Sequence, residues 1–317
     1  MVDTVVPYAS DVAWGEYPYQ LFDYYRHPTR DATGNPLIII HHGNGWIVGS
    51  HRNYRTSSST EYFHFLRWLS GDDSSTAPAR HWDVCSFTSG QLKHNAIIPR
   101  SRQMFGQETV LDGQLGIASI KSMHATYGFN PRKIIVAGES AGAVTVGNGQ
   151  LNAPLVYKGY DSKARGMFYS EGPIDLQQYL GVDYMHYSRV ASFVGASETS
   201  STEYDSISQA DKAKLSIIQF FRDGRLAHYP GFYVAFTQGG DGVKPLGDAG
   251  HAGSDPHDSI QLTDLTNAMG AAGVQFGSQL ITAADLLNTS YPSTTAAALA
   301  VFRPIELWMS TQVAITE

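Results

Sequence analysis

Short apolar runs alternate along the chain with longer segments whose apolar residues recur every three or four positions. Residues 37–40 form a continuous apolar run of strand length, and residues 82–87 form a second one. Between them, residues 62–69 carry aromatic and leucine side chains at helical spacing. Continuous apolar strands separated by amphipathic helices are typical of a parallel sheet buried on both faces. The pattern predicts an α/β fold with a mostly parallel central sheet flanked by helices.

The same alternation continues through most of the chain. It predicts further strands at residues 133–137, 166–170, 232–236 and 274–281, and helices at residues 109–127, 259–272 and 295–312. Residues 173 to about 225 interrupt it with polar stretches such as the Ser/Thr-rich residues 198–202. We interpret residues 1–317 as a single domain that carries an inserted helical cap at about 173–225.

Charge and composition narrow the function. The formal net charge is -7, and no long cluster of basic residues occurs, which argues against nucleic-acid binding. No apolar stretch is long enough to span a membrane, and the start of the chain does not resemble a signal peptide. Cys85 is the only cysteine, which fits a reducing compartment, so we expect a soluble, cytoplasmic protein. We predict no metal and no cofactor, since no group of ligands has metal-site spacing.

Ser140 lies in the sequence Gly138-Glu139-Ser140-Ala141-Gly142, which directly follows the strand predicted at 133–137. Gly-x-Ser-x-Gly between a strand and a helix is the signature of a nucleophile elbow, in which a sharp turn exposes the serine and the flanking glycines avoid clashes. The alternative interpretation is a glycine-rich turn with an incidental serine. The small residues that follow Ser140 favour the elbow, so Ser140 is the candidate nucleophile.

A second glycine-containing motif follows the strand at 37–40 and reads His-His-Gly-Asn-Gly-Trp over residues 41–46. A loop of this kind can direct backbone N–H groups at a tetrahedral oxyanion. Gly43 and Asn44, together with Ala141 of the elbow, are therefore the candidate oxyanion donors. His42 is expected to shape the loop by hydrogen bonding, and Trp46 to line an apolar substrate pocket. A plain Asn-Gly turn is the alternative.

With these two motifs the sequence resembles the α/β-hydrolase fold and, within it, the carboxylesterase and hormone-sensitive-lipase-like group. Members of that group carry His-Gly-Gly-Gly-Trp/Phe and Gly-x-Ser-Ala-Gly, and the likeness extends over most of residues 17–280. Asn44 departs from the usual glycine. The resemblance implies a catalytic acid in the loop after the strand at 232–236, which favours Asp241 over the competing Asp255.

The resemblance also implies a catalytic histidine after the last strand, yet residues 281–289 contain none, and no histidine follows His257. Three explanations stay open. His257 or His251, in the long loop after the acid strand, folds back to Ser140. Alternatively, the fold serves another purpose without a complete triad. Finally, a substitution near Leu286 or Leu287 has removed the base.

Two functions therefore remain. The first is a serine carboxylic-ester hydrolase that forms an acyl-enzyme on Ser140 with a small-molecule ester or a related apolar substrate. The alternative is an α/β-hydrolase-fold protein with an incomplete triad, acting as a lyase-like or cyclase-like catalyst or as a ligand-binding module. The sequence does not indicate the oligomeric state.

Overall fold

The structure is a computed structural model that describes residues 6–43, 45–46, 49–55, 62–71, 80–90, 106–176, 193–194, 207–225, 229–237, 260–281 and 296–314. Its strands are Ala9–Ala13 (β1), Leu21–Tyr25 (β2), Asn35–His41 (β3), Asp83–Phe87 (β4), Phe129–Glu139 (β5), Val156–Tyr157 (β6), Tyr160–Asp161 (β7), Gly166–Ser170 (β8), Gly231–Thr237 (β9) and Phe276–Ile281 (β10). Its α-helices are Tyr62–Leu69 (α1), Gly106–Ser122 (α2), His124–Tyr127 (α3), Ala141–Leu151 (α4), Gln209–Leu215 (α5), Ile217–Arg222 (α6), Ile260–Ala271 (α7) and Ala296–Ala314 (α8).

Eight strands form one sheet in the order β1-β2-β4-β3-β5-β8-β9-β10. From β4 to β10 every neighbouring pair is parallel, whereas β1 and β2 are antiparallel to their neighbours. The parallel part places β3 and β5 side by side at the centre. The predicted α/β fold with a mostly parallel sheet is confirmed.

The sheet is covered by helices on both faces, and the side chains of its central strands alternate between two apolar cores. In β3, Leu37 and Ile39 belong to one core, while Ile38 and Ile40 belong to the other. The first core includes side chains of α2, α4, α6 and α7, and the second includes side chains of α1 and α8. Successive side chains of a strand point to opposite faces, so a strand between two cores must be apolar at every position. This explains the uninterrupted run at residues 37–40.

Three local features differ from the sequence predictions. The helix predicted at 109–127 is two helices, α2 and α3, because a tight turn intervenes in which the Met123 N–H donates to the Ile120 carbonyl at 2.9 Å. The edge strand β1 was not predicted. Neither was the hairpin of β6 and β7, whose turn residues Lys158 and Gly159 have φ of 49° and 80°. Left-handed φ at both central residues is typical of a tight two-residue hairpin.

The segment predicted as a cap is described only in parts, namely residues 173–176, 193–194 and 207–225. Leu176, Phe193 and Leu215 form a small apolar cluster with Trp46 and the start of α4. Helix α6, at the end of this segment, buries Ile217 and Phe221 in the first core beneath the sheet. The extent of the cap stays a prediction. Among the described helices, none combines the length and apolar character that crossing a bilayer requires.

Candidate active site

The two motifs meet because the strands that precede them are neighbours. Parallel β3 and β5 are in register, with His41 opposite Gly138. Both strands therefore end at the same edge of the sheet, and the segments that follow them begin side by side. Loops at the carboxyl ends of parallel strands are where open α/β sheets bind their ligands.

Ser140 lies at the sharp turn between β5 and α4, and its backbone has φ 52° and ψ -120°. This conformation is rare for a residue with a side chain and costs roughly 1–3 kcal/mol, so the surrounding structure must hold it. The Ser140 N–H donates to the Ser170 carbonyl at 2.8 Å, and the Ser140 carbonyl accepts from the Ala143 N–H at 3.0 Å. The side chain is half-buried. This backbone is that of a nucleophile elbow.

Close backbone contacts explain the glycines of both motifs. A Cβ atom on Gly43 would lie 3.0 Å from the Glu139 carbonyl oxygen and 3.2 Å from Ser140 Cβ. A Cβ on Gly142 would lie 2.5 Å from the His41 carbonyl oxygen, and one on Gly138 would lie 2.5 Å from the Ala143 nitrogen. A side chain at Gly43 or Gly142 would push the two motifs apart, and one at Gly138 would clash with the start of α4. The loop after β3 therefore lies directly against the elbow.

Ala141 is the first residue of α4, which begins at the serine. The first N–H groups of a helix have no partner within the helix, and they carry its positive dipole end. The Ala141 N–H is thus suited to an oxyanion, in company with the loop that contains Gly43. Helix α4 is buried along its whole length, which fixes the direction of these donors.

His41 and His42 are both buried and neutral near pH 7. Desolvation lowers the pKa of His41 to about 4 and that of His42 to about 3. The His41 ring bonds through Nε2 to Ser89 Oγ at 2.6 Å and through Nδ1 to the His42 carbonyl at 2.8 Å. His42 Nδ1 lies 3.1 Å from the Gly43 carbonyl oxygen. These contacts tie both rings to the backbone of the loop. Their lowered pKa values make both rings poor general bases, since a base must accept a proton. The role of His42 in shaping the oxyanion loop stays a prediction.

Trp46 is buried beside the elbow, with 5% of its surface exposed. Its indole N–H donates to Thr145 Oγ1 in α4 at 3.0 Å, and its ring stacks on Phe193 with centroids 4.3 Å apart. Trp46 also belongs to the same apolar cluster as Ala141 and Val144. The wall beside the candidate nucleophile is therefore apolar, and Trp46 connects it to the segment that contains Phe193.

Two carboxylates near Ser140 were not singled out from the sequence. Glu139 is half-buried, and the Tyr54 hydroxyl donates to its Oε2 at 3.4 Å. Glu171 follows β8 with φ 51°, and its N–H donates to the Ala235 carbonyl at 3.0 Å. The sequence signal for Glu171 was its position, together with Gly172, directly after the strand predicted at 166–170. Strained residues at such a strand end cluster at functional sites.

The remaining predicted site residues lie outside the described residues. They are the oxyanion donor Asn44, the candidate acids Asp241 and Asp255, and the candidate bases His251 and His257. Leu286 and Leu287 also lie outside them. Their roles stay predictions.

In the described part of the chain, one group of side chains has the geometry to hold a metal ion. It consists of Asp11, Asp23 and His51. Arg55 donates to both oxygens of Asp23 at 2.6 Å, and Arg52 donates to Asp11 at 2.7 Å. Because these guanidinium groups already neutralise the carboxylates, the cluster is explained as an ion-pair network.

No protein-family model matches the sequence, and no curated protein does. Solved structures do match. Esterase B from Lactobacillus rhamnosis aligns over 98% of this chain and 89% of its own, with a TM-score of 0.66 and 14% identity. A truncated carbohydrate esterase from gut microbiota aligns over 98% of both chains, with a TM-score of 0.64 and 14% identity.

A hormone-sensitive lipase from a metagenome library aligns over 98% of this chain and 84% of its own, with a TM-score of 0.56 and 15% identity. Likeness over nearly the whole chain establishes the architecture, whereas identities this low leave the activity to be argued from the site. The chain has the α/β-hydrolase fold.

Proposed function

We propose that this protein is a serine carboxylic-ester hydrolase that acts on a small-molecule ester. The observation that carries the proposal is the strained backbone of Ser140 at the start of a buried helix, with Gly43 packed against it. Acyl transfer requires a strained, exposed serine beside backbone N–H groups that can hold an oxyanion, and the position of Gly43 against Ser140 supports this arrangement. The esterase and lipase names of the structural neighbours support the same reaction class.

In the proposed reaction, Ser140 Oγ bonds to the ester carbonyl carbon while a histidine takes its proton. The Ala141 N–H and the N–H groups of Gly43 and Asn44 hold the oxyanion of the tetrahedral intermediate. The carbon–oxygen bond to the alcohol then breaks, and the alcohol leaves with the proton from the histidine. Water repeats the sequence on the acyl-enzyme and releases the carboxylic acid.

The histidine of this reaction is His257 or His251, oriented by Asp241 or Asp255. A neutral histidine with an ordinary pKa is needed here, because a general base works best when its pKa is near the operating pH. The strongly lowered pKa values of His41 and His42 leave this role to a histidine elsewhere in the chain.

The test of the nucleophile is labelling by an organophosphonate, read as a mass increase of the intact protein, with turnover of p-nitrophenyl butyrate. A structural neighbour is described as inhibited by a tributyrin phosphonate. We expect one phosphonyl group per wild-type chain and none on Ser140→Ala, with turnover reduced at least about 10³-fold. Ser122→Ala, at the end of α2, is the matched control and should behave as the wild type. Absence of both labelling and turnover in the wild type would contradict the proposal.

The base is tested separately with His257→Ala and His251→Ala, and with His81→Ala as the control. His81 is a partly exposed histidine that pairs with Asp31 at 3.0 Å. Loss of turnover in one of the first two variants, with normal activity in His81→Ala, identifies the base. If both retain full activity, neither is the base.

The second candidate function is a non-hydrolytic catalyst or a ligand-binding module. It is favoured by one observation, the lack of any histidine after His257 where related folds supply the base. In that case p-nitrophenyl butyrate would bind without turnover, and Ser140→Ala would bind it as tightly as the wild type.

A further inference from the structure

Trp46 has a backbone conformation that its own residue type disfavours. Its φ is 60°, directly after Gly45 with φ 64°. A bulky aromatic residue in the left-handed region is a strong outlier, since the Cβ atom crowds the following carbonyl group. Something other than local preference must therefore hold Trp46, which ends the loop that begins at Gly43.

Two side-chain contacts supply that restraint. On one side the indole N–H donates to Thr145 Oγ1 at 3.0 Å, and Thr145 is fully buried one turn into α4. On the other side the indole stacks on Phe193, with ring planes 18° apart. Trp46 is thus held between the helix that starts at the nucleophile and a residue of the segment predicted as a cap.

Phe193 is itself held in place by contacts with helix α2. A Cβ on Gly106, the first residue of α2, would overlap the Phe193 carbonyl oxygen. Phe193 and Val194 also pack with Val110 of α2 in the apolar cluster around Trp46. Movement of this part of the segment must therefore move either the indole or the start of α2.

We propose that Trp46 is a positioning residue, through which Thr145 and Phe193 together set the position of Gly43 relative to Ser140. The proposal rests on the ester hydrolase function above, because the N–H groups of that loop would receive the oxyanion. Its consequence is that Phe193, by stacking on Trp46, contributes to oxyanion stabilisation. Contacts that orient a donor act on the transition state more than on substrate binding.

The decisive variant is Thr145→Val, which keeps the shape of the side chain and removes the acceptor for the indole. The matched control is Thr266→Val in α7, since both threonine hydroxyls donate to the carbonyl four residues earlier but Thr266 has no tryptophan partner among the described residues. Thr145→Ser keeps the hydroxyl and tests for rescue. Trp46→Phe keeps a ring against Phe193 and removes the N–H.

We expect Thr145→Val and Trp46→Phe to lower kcat for p-nitrophenyl butyrate about 10- to 100-fold, less than removal of an oxyanion donor, with KM nearly unchanged. Phe193→Ala should lower kcat in the same way. Thr145→Ser and Thr266→Val should retain wild-type kcat. A merely structural role of the hydrogen bond would instead lower thermal stability without this separation of kcat from KM.

Hydrogen exchange of the peptide covering residues 42–46, followed by mass spectrometry, tests the positioning without relying on turnover. Exchange should be faster in Thr145→Val and Trp46→Phe than in the wild type and unchanged in Thr266→Val. Unchanged exchange in Thr145→Val overturns the inference, and so does faster exchange with an unaltered kcat. A wild type that neither turns over ester nor reacts with phosphonate contradicts the proposed function alone, and the exchange experiment still decides whether Trp46 holds the loop.

Discussion

Gly142 is the position where one methyl group should separate the elbow from the oxyanion loop. In Gly142→Ala, the new Cβ would lie 2.5 Å from the His41 carbonyl oxygen and would also overlap the His42 carbonyl oxygen. An ordinary carbon–oxygen contact is about 3.3 Å, so the shortfall is about 0.8 Å. Both neighbours are backbone atoms, which leaves no flexible side chain to move away. The loop that contains Gly43 must retreat from Ser140.

A displacement of this size has two measurable effects. Misplacing a catalytic group by about 1 Å can reduce the rate on the order of 10²-fold, so kcat/KM for p-nitrophenyl butyrate should fall by about that factor. Overpacking should also lower the free energy of unfolding in urea by about 1–3 kcal/mol.

The matched control is Gly270→Ala, at a helical glycine of α7 whose Cβ would meet no atom within 4 Å. It should leave turnover unchanged and raise the free energy of unfolding by about 0.5–1 kcal/mol, because alanine is the better helix former. If Gly142→Ala retains turnover within about 3-fold of the wild type, the reasoning from close backbone contact to catalysis is refuted.

Two further predictions concern stability. Because burial depresses the pKa of His41 to about 4, the unfolded chain takes up a proton at higher pH than the folded protein does. The contribution of His41 to the free energy of unfolding should thus be fully present above about pH 6.5 and be lost as the pH falls towards 4, by on the order of 3 kcal/mol. Urea unfolding at pH 7 and at pH 4.5 should therefore show a smaller loss of stability in His41→Gln than in the wild type. An equal loss in both proteins would assign the effect to other groups. Asp83 is fully buried and accepts hydrogen bonds from Tyr24 and Arg30. Asp83→Ala should therefore lower the free energy of unfolding by about 3 kcal/mol. Asp31→Ala, which removes a half-exposed pair with His81, should lower it by less than about 1 kcal/mol. Equal losses in the two variants would contradict the importance of burial.

The central sheet could be predicted from sequence because its pattern is unambiguous. The strand at 166–170 coincides with β8, and the run at 37–40 lies within β3. By contrast, β1 is a partly exposed edge strand of five residues with no apolar run to indicate it. The hairpin turn at Lys158 and Gly159 has one local signal in the sequence, a glycine between two tyrosine-containing segments.

Those parts of the candidate site that depend on local backbone geometry could be predicted from the sequence. The glycines around Ser140 are required by backbone contacts, and these leave a readable motif. The partners of Trp46 could not be found in this way, because Thr145 is 99 residues away along the chain and Phe193 lies where the sequence departs from the alternation of strands and helices. Such contacts depend on how the helices pack, which no local pattern encodes. The acid and base stay predictions, because Asp241, Asp255, His251 and His257 lie outside the described residues.

The close approach of Gly43, Gly138 and Gly142 to backbone atoms also limits how this site can change during evolution. A fourth glycine, Gly172, completes the set, because a Cβ there would lie 2.7 Å from the Ser140 carbonyl oxygen. The backbone around Ser140 thus leaves no room for a larger side chain at any of these four positions. A single substitution at one of them cannot adapt the site to a new substrate. Altered selectivity must come from side chains that reach over the serine from other segments. A library aimed at new substrates should therefore keep the four glycines, Thr145 and Phe193, and vary other members of the same apolar cluster, such as Leu176 and Leu215.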